Sequence, residues 1–212
     1  MSLPKSAAQQ LFVCVVALAL SSAAWAARDM EDVETHLKEH YLLHNECQDL
    51  LNEQVGKELY ASIVYMNMAA YFDRPSVARN GYAKFFRAQS LEEYQHASKL
   101  IDYVNSRNGT VKRIVIEESP KSEWASPVVA LRDAITLEKD VYAKLQNIHF
   151  VADQKCDDSH LTDFLEGQFF TEQVESIKEI QTMLTKIDVA DRSAASVILH
   201  ITDEKLAKKG EL

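Results

Sequence analysis

Punctuation is scarce in this chain. Only five glycines and four prolines interrupt 212 residues. These are the residues that turn a chain and end its elements, so a fold of many short strands and tight hairpins is excluded and long helices are expected. Basic charge is in deficit too: 23 Lys and Arg against 32 Asp and Glu leave a formal charge of −9. That argues against nonspecific binding to nucleic acid and favours solubility or attraction of cations. Long apolar runs are limited to one, Leu11 to Leu20, preceded by Lys5 and followed by Ala24-Trp25-Ala26. About 20 apolar residues are needed to span a bilayer, so this run reads as the core of a secretory signal peptide, residues 1–26, and not as a membrane anchor. No other stretch is apolar enough to span. Cysteine is the last scarcity. Cleavage would remove Cys14 and leave Cys47 and Cys156, an even count that fits one disulfide in an oxidising compartment or two separate buried thiols.

What remains is helical pattern. Residues 27–44 are charged and mixed and read as an N-terminal arm. Asn45 with Gln48 resembles a capping box and opens a first helix to about Asp73, with Leu51, Val55, Leu59, Ile63 and Met66 on helical spacing. Arg74-Pro75-Ser76 breaks it. A second helix runs from about Gly81 to Arg107 and stops at Asn108-Gly109. A connector follows, in which Val111 to Ile116 could be extended. Ser126-Pro127 is an N-cap followed by Pro at the first helical position, and opens a third helix to about Ala152. Asp157-Asp158-Ser159 opens a fourth, to about Lys186, and a short fifth segment spans about Arg192 to Leu206. Short turns make each helix pair antiparallel. A connector of nearly 20 residues exceeds ordinary loop length and lets the second and third helices run parallel. The expected fold is all-α: a four-helix up-down bundle with a long crossover between helices 2 and 3 and a short fifth helix.

Polar residues at mid-helix carry the chemistry. In Glu92-Glu93-Tyr94-Gln95-His96, Glu93 and His96 are three apart and share a helical face, so one carboxylate and one imidazole could ligate one metal ion. Glu58, Glu138 and Gln173 sit near the middle of the three other helices. Four helices thus offer polar groups at one depth, which is costly to bury without partners. A di-iron carboxylate site accounts for such a pattern.

The segments Glu58-Leu-Tyr-Ala-Ser-Ile-Val-Tyr65, Gln89-Ser-Leu-Glu-Glu-Tyr-Gln-His-Ala-Ser-Lys-Leu100, Leu137-Glu-Lys-Asp-Val141 and Thr171-Glu-Gln-Val174 resemble a ferritin of the iron-oxidising heavy-chain type. The resemblance begins at about Asn45, which would make residues 45–212 a ferritin-like di-iron domain. It implies that Glu58, Glu93 and His96 hold a first iron, that Glu93 bridges to a second held by Glu138, and that Tyr65 and Gln173 tune the site. It also implies that Glu92 lies towards a mineral cavity and hands iron on, and that Asp163 and Glu166 line three-fold channels admitting Fe(II). The implied function is oxidation of Fe(II) by O2 and storage of ferric mineral inside a cage of 24 subunits, built alone or with a second ferritin subunit type, with no nucleic-acid or membrane partner. Family heavy chains often carry further carboxylates where this chain has Gln95 and Ser98, which weakens the expectation of strong mineral nucleation. His149 and His160 read as ordinary surface histidines, with an accessory metal-ligand role as the alternative.

Three other readings share the helical pattern. A secreted helical-bundle signalling protein would have no use for the central carboxylates. A di-iron oxygenase or peroxidase usually carries a second E-x-x-H, whereas Glu138 is followed three later by Val141. A non-catalytic light-type ferritin subunit would lack the full ligand set. The bundle topology puts Cys47 and Cys156 at one end, within reach of an intrachain bridge, with a bridge between subunits as the rival. Asn108-Gly109-Thr110 is an N-glycosylation sequon. The final Lys209-Gly210-Glu211-Leu212 is close to the K-D-E-L retrieval signal. The expected location is therefore the secretory pathway with export, any endoplasmic reticulum or Golgi retention being confined to unassembled subunits.

Overall fold

The computed structural model describes Met30, residues 41–190 and residues 192–209. The chain divides into two units, residues 1–42 and 43–212, and of the first only Met30, Tyr41 and Leu42 are described. The expected signal peptide and most of the N-terminal arm lie outside the described residues, as do Gly210, Glu211 and Leu212 of the tail.

The second unit is built of helices and loops, with no strand among the described residues. Helix α1 is Asn45–Phe72, α2 Asn80–Ser106 and α3 Pro127–Gln154. The fourth rod comes in three consecutive pieces: α4, Ser159–Leu165; a π-helical turn, Glu166–Phe170; and α5, Thr171–Asp188. A short α6, Arg192–Lys208, follows.

Local chemistry sets the ends. Asn45 is not the cap of α1. His44 is, with extended backbone and Nδ1 accepting from the Glu46 amide at 3.3 Å. Ser126 caps α3 by accepting from the Val129 amide at 3.4 Å, with Pro127 filling the position whose N–H would be orphaned anyway. Asp158 caps α4 through the Leu161 amide at 3.0 Å. The start of α2 has no local cap; Asp203 of α6 accepts from the Tyr82 amide at 3.0 Å instead. Asn108 closes α2 in left-handed conformation, φ 54°, as Gly109 donates back to the Val104 carbonyl at 2.8 Å.

Register follows from named contacts. Tyr65 stacks on Phe86 at 6.0 Å, Phe72 meets Tyr82 at 5.9 Å, and the Leu43 amide donates to the Arg107 carbonyl, so α1 and α2 are antiparallel. Tyr71 touches Trp124 just before α3, while Cys47 is joined to Cys156 just after it, so α3 is antiparallel to α1 and parallel to α2. Arg132 pairs with Asp188 and His149 with Glu166, so the fourth rod runs against α3. This is the crossover topology expected from loop lengths.

The connector forms no strand across Val111–Ile116. Side chains of α1 take its backbone groups instead. Gln48 Oε1 accepts from the Thr110 amide, and Asn52 bonds the Thr110 carbonyl and the Lys112 amide. The connector passes so close to α1 that a Cβ on Gly56 would lie 2.9 Å from the Val115 carbonyl oxygen. No described helix is long and apolar enough to cross a membrane.

The core is two apolar clusters and not one. One gathers Tyr65, Met68, Phe72, Phe86, Leu131 and Ile180. The other gathers Cys47, Leu51, Leu100, Leu145, Leu161 and Phe169. On every rod a polar residue falls at the junction between them.

Candidate metal centre

That junction is a polar layer. Glu58 lies between Val55 and Val64 on α1, Glu93 and His96 separate Phe86 from Ala97 on α2, Glu138 separates Ile135 from Val141 on α3, and Gln173 separates Phe169 from Ile180 on the fourth rod. All five are buried, none more than 3% exposed. Tyr65, two turns along α1 from Glu58, is fully buried beside them.

The fourth rod reaches this layer because of its π-turn. Leu161, Leu165, Phe169 and Gln173 are all buried and spaced four apart. In an ideal α-helix that spacing would drift by about 120° around the axis. A wider π-helical turn absorbs roughly one residue of rotation and keeps the four on one face. Phe169, within the turn, packs on the His96 ring at 5.3 Å. Gln173 follows one turn later.

Glu58, Glu93 and His96 place one ligand atom each within 4.8 Å of one another. His96 Nδ1 lies 3.3 Å from Glu93 Oε2. Tyr65 donates a short hydrogen bond to Glu138. Glu138 lies close enough for its charge to act on the Glu93 carboxyl. The sequence-derived set Glu58, Tyr65, Glu93, His96, Glu138 and Gln173 is therefore brought into one layer.

The electrostatics are those of acids short of positive charge. Burial pushes the Glu58 carboxyl well above its ordinary range, and the Glu93 charge pushes it further. Burial and then the Glu138 charge do the same to Glu93. Burial raises Glu138, against the stabilising bond from Tyr65. The Tyr65 phenol is pushed up by burial and by Glu138, so it remains a donor. Four buried oxygens, Glu58 Oε2, Glu138 Oε2, Gln173 Oε1 and Gln54 Oε1, have no hydrogen-bond partner among the described residues. As carboxylate and amide oxygens, all four accept. Unpaired oxygens beside an imidazole are the donor set that a hard or borderline divalent cation takes, so the residues present fit such an ion.

A second group was not read from the sequence. Glu92, His96 and Glu172 also converge to within 4.8 Å, and Glu172 Oε2 lies 3.0 Å from His96 Nε2. His96 belongs to both groups, its Nδ1 towards the buried one and its Nε2 towards a half-exposed one. Burial, then the bond and charge of Glu172, push Glu92 up to about 7. Burial pushes Glu172 up as well, but bonds from His96 and Glu92 outweigh it and hold it low. Glu92 is also held by Gln89, whose Nε2 donates to Oε2 at 2.8 Å. The only sequence signal for Glu172 was its place within the matched segment Thr171 to Val174.

Asp163 and Glu166 do not join either group. Both are exposed, Asp163 on α4 and Glu166 at the start of the π-turn. Glu166 Oε1 lies 2.7 Å from His149 Nε2. His160 is likewise tied, its Nδ1 3.1 Å from the Tyr103 hydroxyl. Gln95 is exposed and Ser98 half-buried on α2.

Comparison with known proteins points the same way. The family model described as "Ferritin-like domain" matches residues 48–190. "Ferritin, lower subunit" of Aquarana catesbeiana is 39% identical over 155 residues, 73% of this chain and 88% of that protein. "Ferritin, middle subunit" of Salmo salar is 37% identical over 169 residues, 78% of this chain and 94% of that protein. "Soma ferritin" of Lymnaea stagnalis is 42% identical over 144 residues, 68% and 82% of the two chains. Fold, polar layer and sequence likeness agree, and the chain belongs to the ferritin family.

Proposed function

We propose that this chain is an iron-oxidising, iron-storing ferritin subunit. The observation that carries the reading is the buried layer of three glutamates and one histidine with unpaired oxygens, set between two apolar clusters. Fe(II) is the substrate. Glu58, Glu93 and His96 would hold one ion, Glu138 a second, and Glu93 would bridge them. Two Fe(II) ions lose one electron each, which matches a two-electron reduction of one O2. Gln173 offers a neutral oxygen, so the second site carries less negative charge than the first and releases its ion more readily. Tyr65 holds the Glu138 carboxylate by hydrogen bonding and so fixes its free oxygen. Glu92 and Glu172, half-exposed beside His96, would take the oxidised ion outward. Asp163 and Glu166 would concentrate Fe(II) at the cage surface, in a 24-subunit assembly formed alone or with a second subunit type.

The test is aerobic Fe(II) oxidation by the assembled protein. Replacing Glu93 and His96 together with alanine should abolish the fast phase and leave the cage intact on size exclusion. Oxidation at the parent rate would overturn the assignment.

We further propose that the chain travels the secretory pathway behind residues 1–26. Cys47 and Cys156 are joined in a disulfide, which forms and persists in oxidising compartments. Asn108, the sequon residue, is exposed on a helix-end turn, where the proposal places an N-glycan. Protein from its native secretory source should lose mass on glycosidase treatment; an unchanged mass would remove the glycan.

A further inference from the structure

Gln54 has no explanation in the fold or in the roles assigned so far. It is 1% exposed, one turn before Glu58 on α1. Its Nε2 donates to Glu58 Oε1 at 2.8 Å, while its own Oε1 has no partner among the described residues. A buried amide with an unfilled acceptor is a poor core residue, because desolvating that oxygen costs stability that an apolar side chain of the same length would not lose. Its one bond is to a metal-site carboxylate, and that bond occupies one of the two Glu58 oxygens. The other, Oε2, is among the unpaired oxygens of the polar layer.

We propose that Gln54 is a positioning residue for Glu58, restricting that carboxylate to a single oxygen towards the metal. The inference rests on the di-iron reading above. A neutral amide suits the task because it orients a carboxylate without neutralising it. A lysine or arginine at this place would pair with Glu58 and repel the incoming cation. A ligand held to one oxygen leaves the bound ion a coordination position that a chelating carboxylate would fill, and O2 or water needs such a position. Ligand-orienting partners of this kind typically change metal affinity by about 10- to 100-fold when removed.

The experiment uses the assembled, metal-free protein and Co(II), which reports its coordination number through visible absorption and is not consumed by air. Gln54→Met keeps the length of the side chain and removes the amide. Val55→Ala, at the next buried position, weakens the same stretch of core without touching Glu58 hydrogen bonding. Expected are a changed Co(II) band shape and about a 10-fold change in Co(II) dissociation constant for Gln54→Met, with parent-like values for Val55→Ala. Parent-like Co(II) binding and spectrum in Gln54→Met would overturn the inference alone and make Gln54 an ordinary core residue. Equal changes in both variants would also overturn it, as a packing effect. If the parent binds no Co(II) that is lost in the combined Glu93→Ala and His96→Ala variant, the di-iron reading fails and takes this inference with it.

Discussion

At the scale of single residues the polar layer opposes folding until something binds in it. Glu58, Glu93 and Glu138 are all pushed up by burial, the first two also by a neighbouring carboxylate. A carboxyl raised in the folded state binds its proton more tightly folded than unfolded. The folding stability it contributes is therefore complete below the unfolded value, near 4.5, and is lost as pH rises through the folded value. Glu92, raised to about 7, adds to this between about pH 4.5 and 7, with less weight because water reaches it. The metal-free protein should accordingly gain from Glu138→Gln, and the gain should grow from pH 5 to pH 8. A bound divalent ion should reverse the ranking, because it replaces the protons and needs the carboxylate. Melting the two proteins at several pH values, with and without Co(II), decides this. A difference that does not vary with pH would mean that these acids are already paired. The same contrast explains what the sequence revealed. A glutamate at a buried helical position is an anomaly that pattern exposes, so Glu58, Glu93 and Glu138 were legible. Gln54 and Glu172 were not: Gln54 lies one turn outside the segment Glu58 to Tyr65 that carried the resemblance, and Glu172 is half-exposed like any surface acid.

At the scale of elements, two glycines separate docking from mere flexibility. A Cβ on Gly81 would meet the Asp203 carbonyl oxygen at 1.8 Å, and that backbone cannot yield without moving α6. Asp203 also caps the start of α2, through the Tyr82 amide. Gly81→Ala should release α6 and uncap α2 together, costing about 2–3 kcal/mol, the sum of a lost cap and lost packing. Amide hydrogen exchange should show α6 and the first turn of α2 losing protection together. A Cβ on Gly167, within the π-turn, meets nothing within 4 Å. Gly167→Ala should be neutral or stabilise by up to about 1 kcal/mol. A strongly destabilised Gly167→Ala would show that the π-turn needs glycine for its backbone. Helix limits were legible to within a few residues because Pro, Gly and Asp mark them. The π-turn was not, since Leu161, Leu165 and Phe169 read as one helix face unless their drift is followed. Nor was the His44 cap, because histidine is an uncommon choice there and Asn45 beside it is a common one.

For the whole molecule, topology was legible from connection lengths alone, and topology places the two cysteines. With α1 and α3 antiparallel, Cys47 and Cys156 lie at one end, and the structure joins them within the chain at a Cα separation of 6.8 Å. The bridge spans 109 residues. Closing a loop of that size removes about 4–5 kcal/mol of unfolded-chain freedom in the entropic picture. The same end carries a second tie, the buried Arg107 to Asp158 pair, with Nη2 to Oδ2 at 2.9 Å, and Arg107 also donates to the Tyr103 hydroxyl at 2.6 Å. That tie acts on the folded state, while the disulfide acts mainly on the unfolded one, so neither substitutes for the other. Replacing both cysteines with serine should leave the helical content and the Arg107 to Asp158 pair intact and lower the unfolding free energy by about 3–5 kcal/mol. Chemical denaturation of the parent, oxidised and reduced, beside the double variant gives the measurement. Reduced parent and variant should unfold together, well before the oxidised parent. If all three unfold at the same denaturant concentration, the unfolded chain is already compact at this end, and the bridge serves to lock assembled subunits kinetically and not to stabilise the fold.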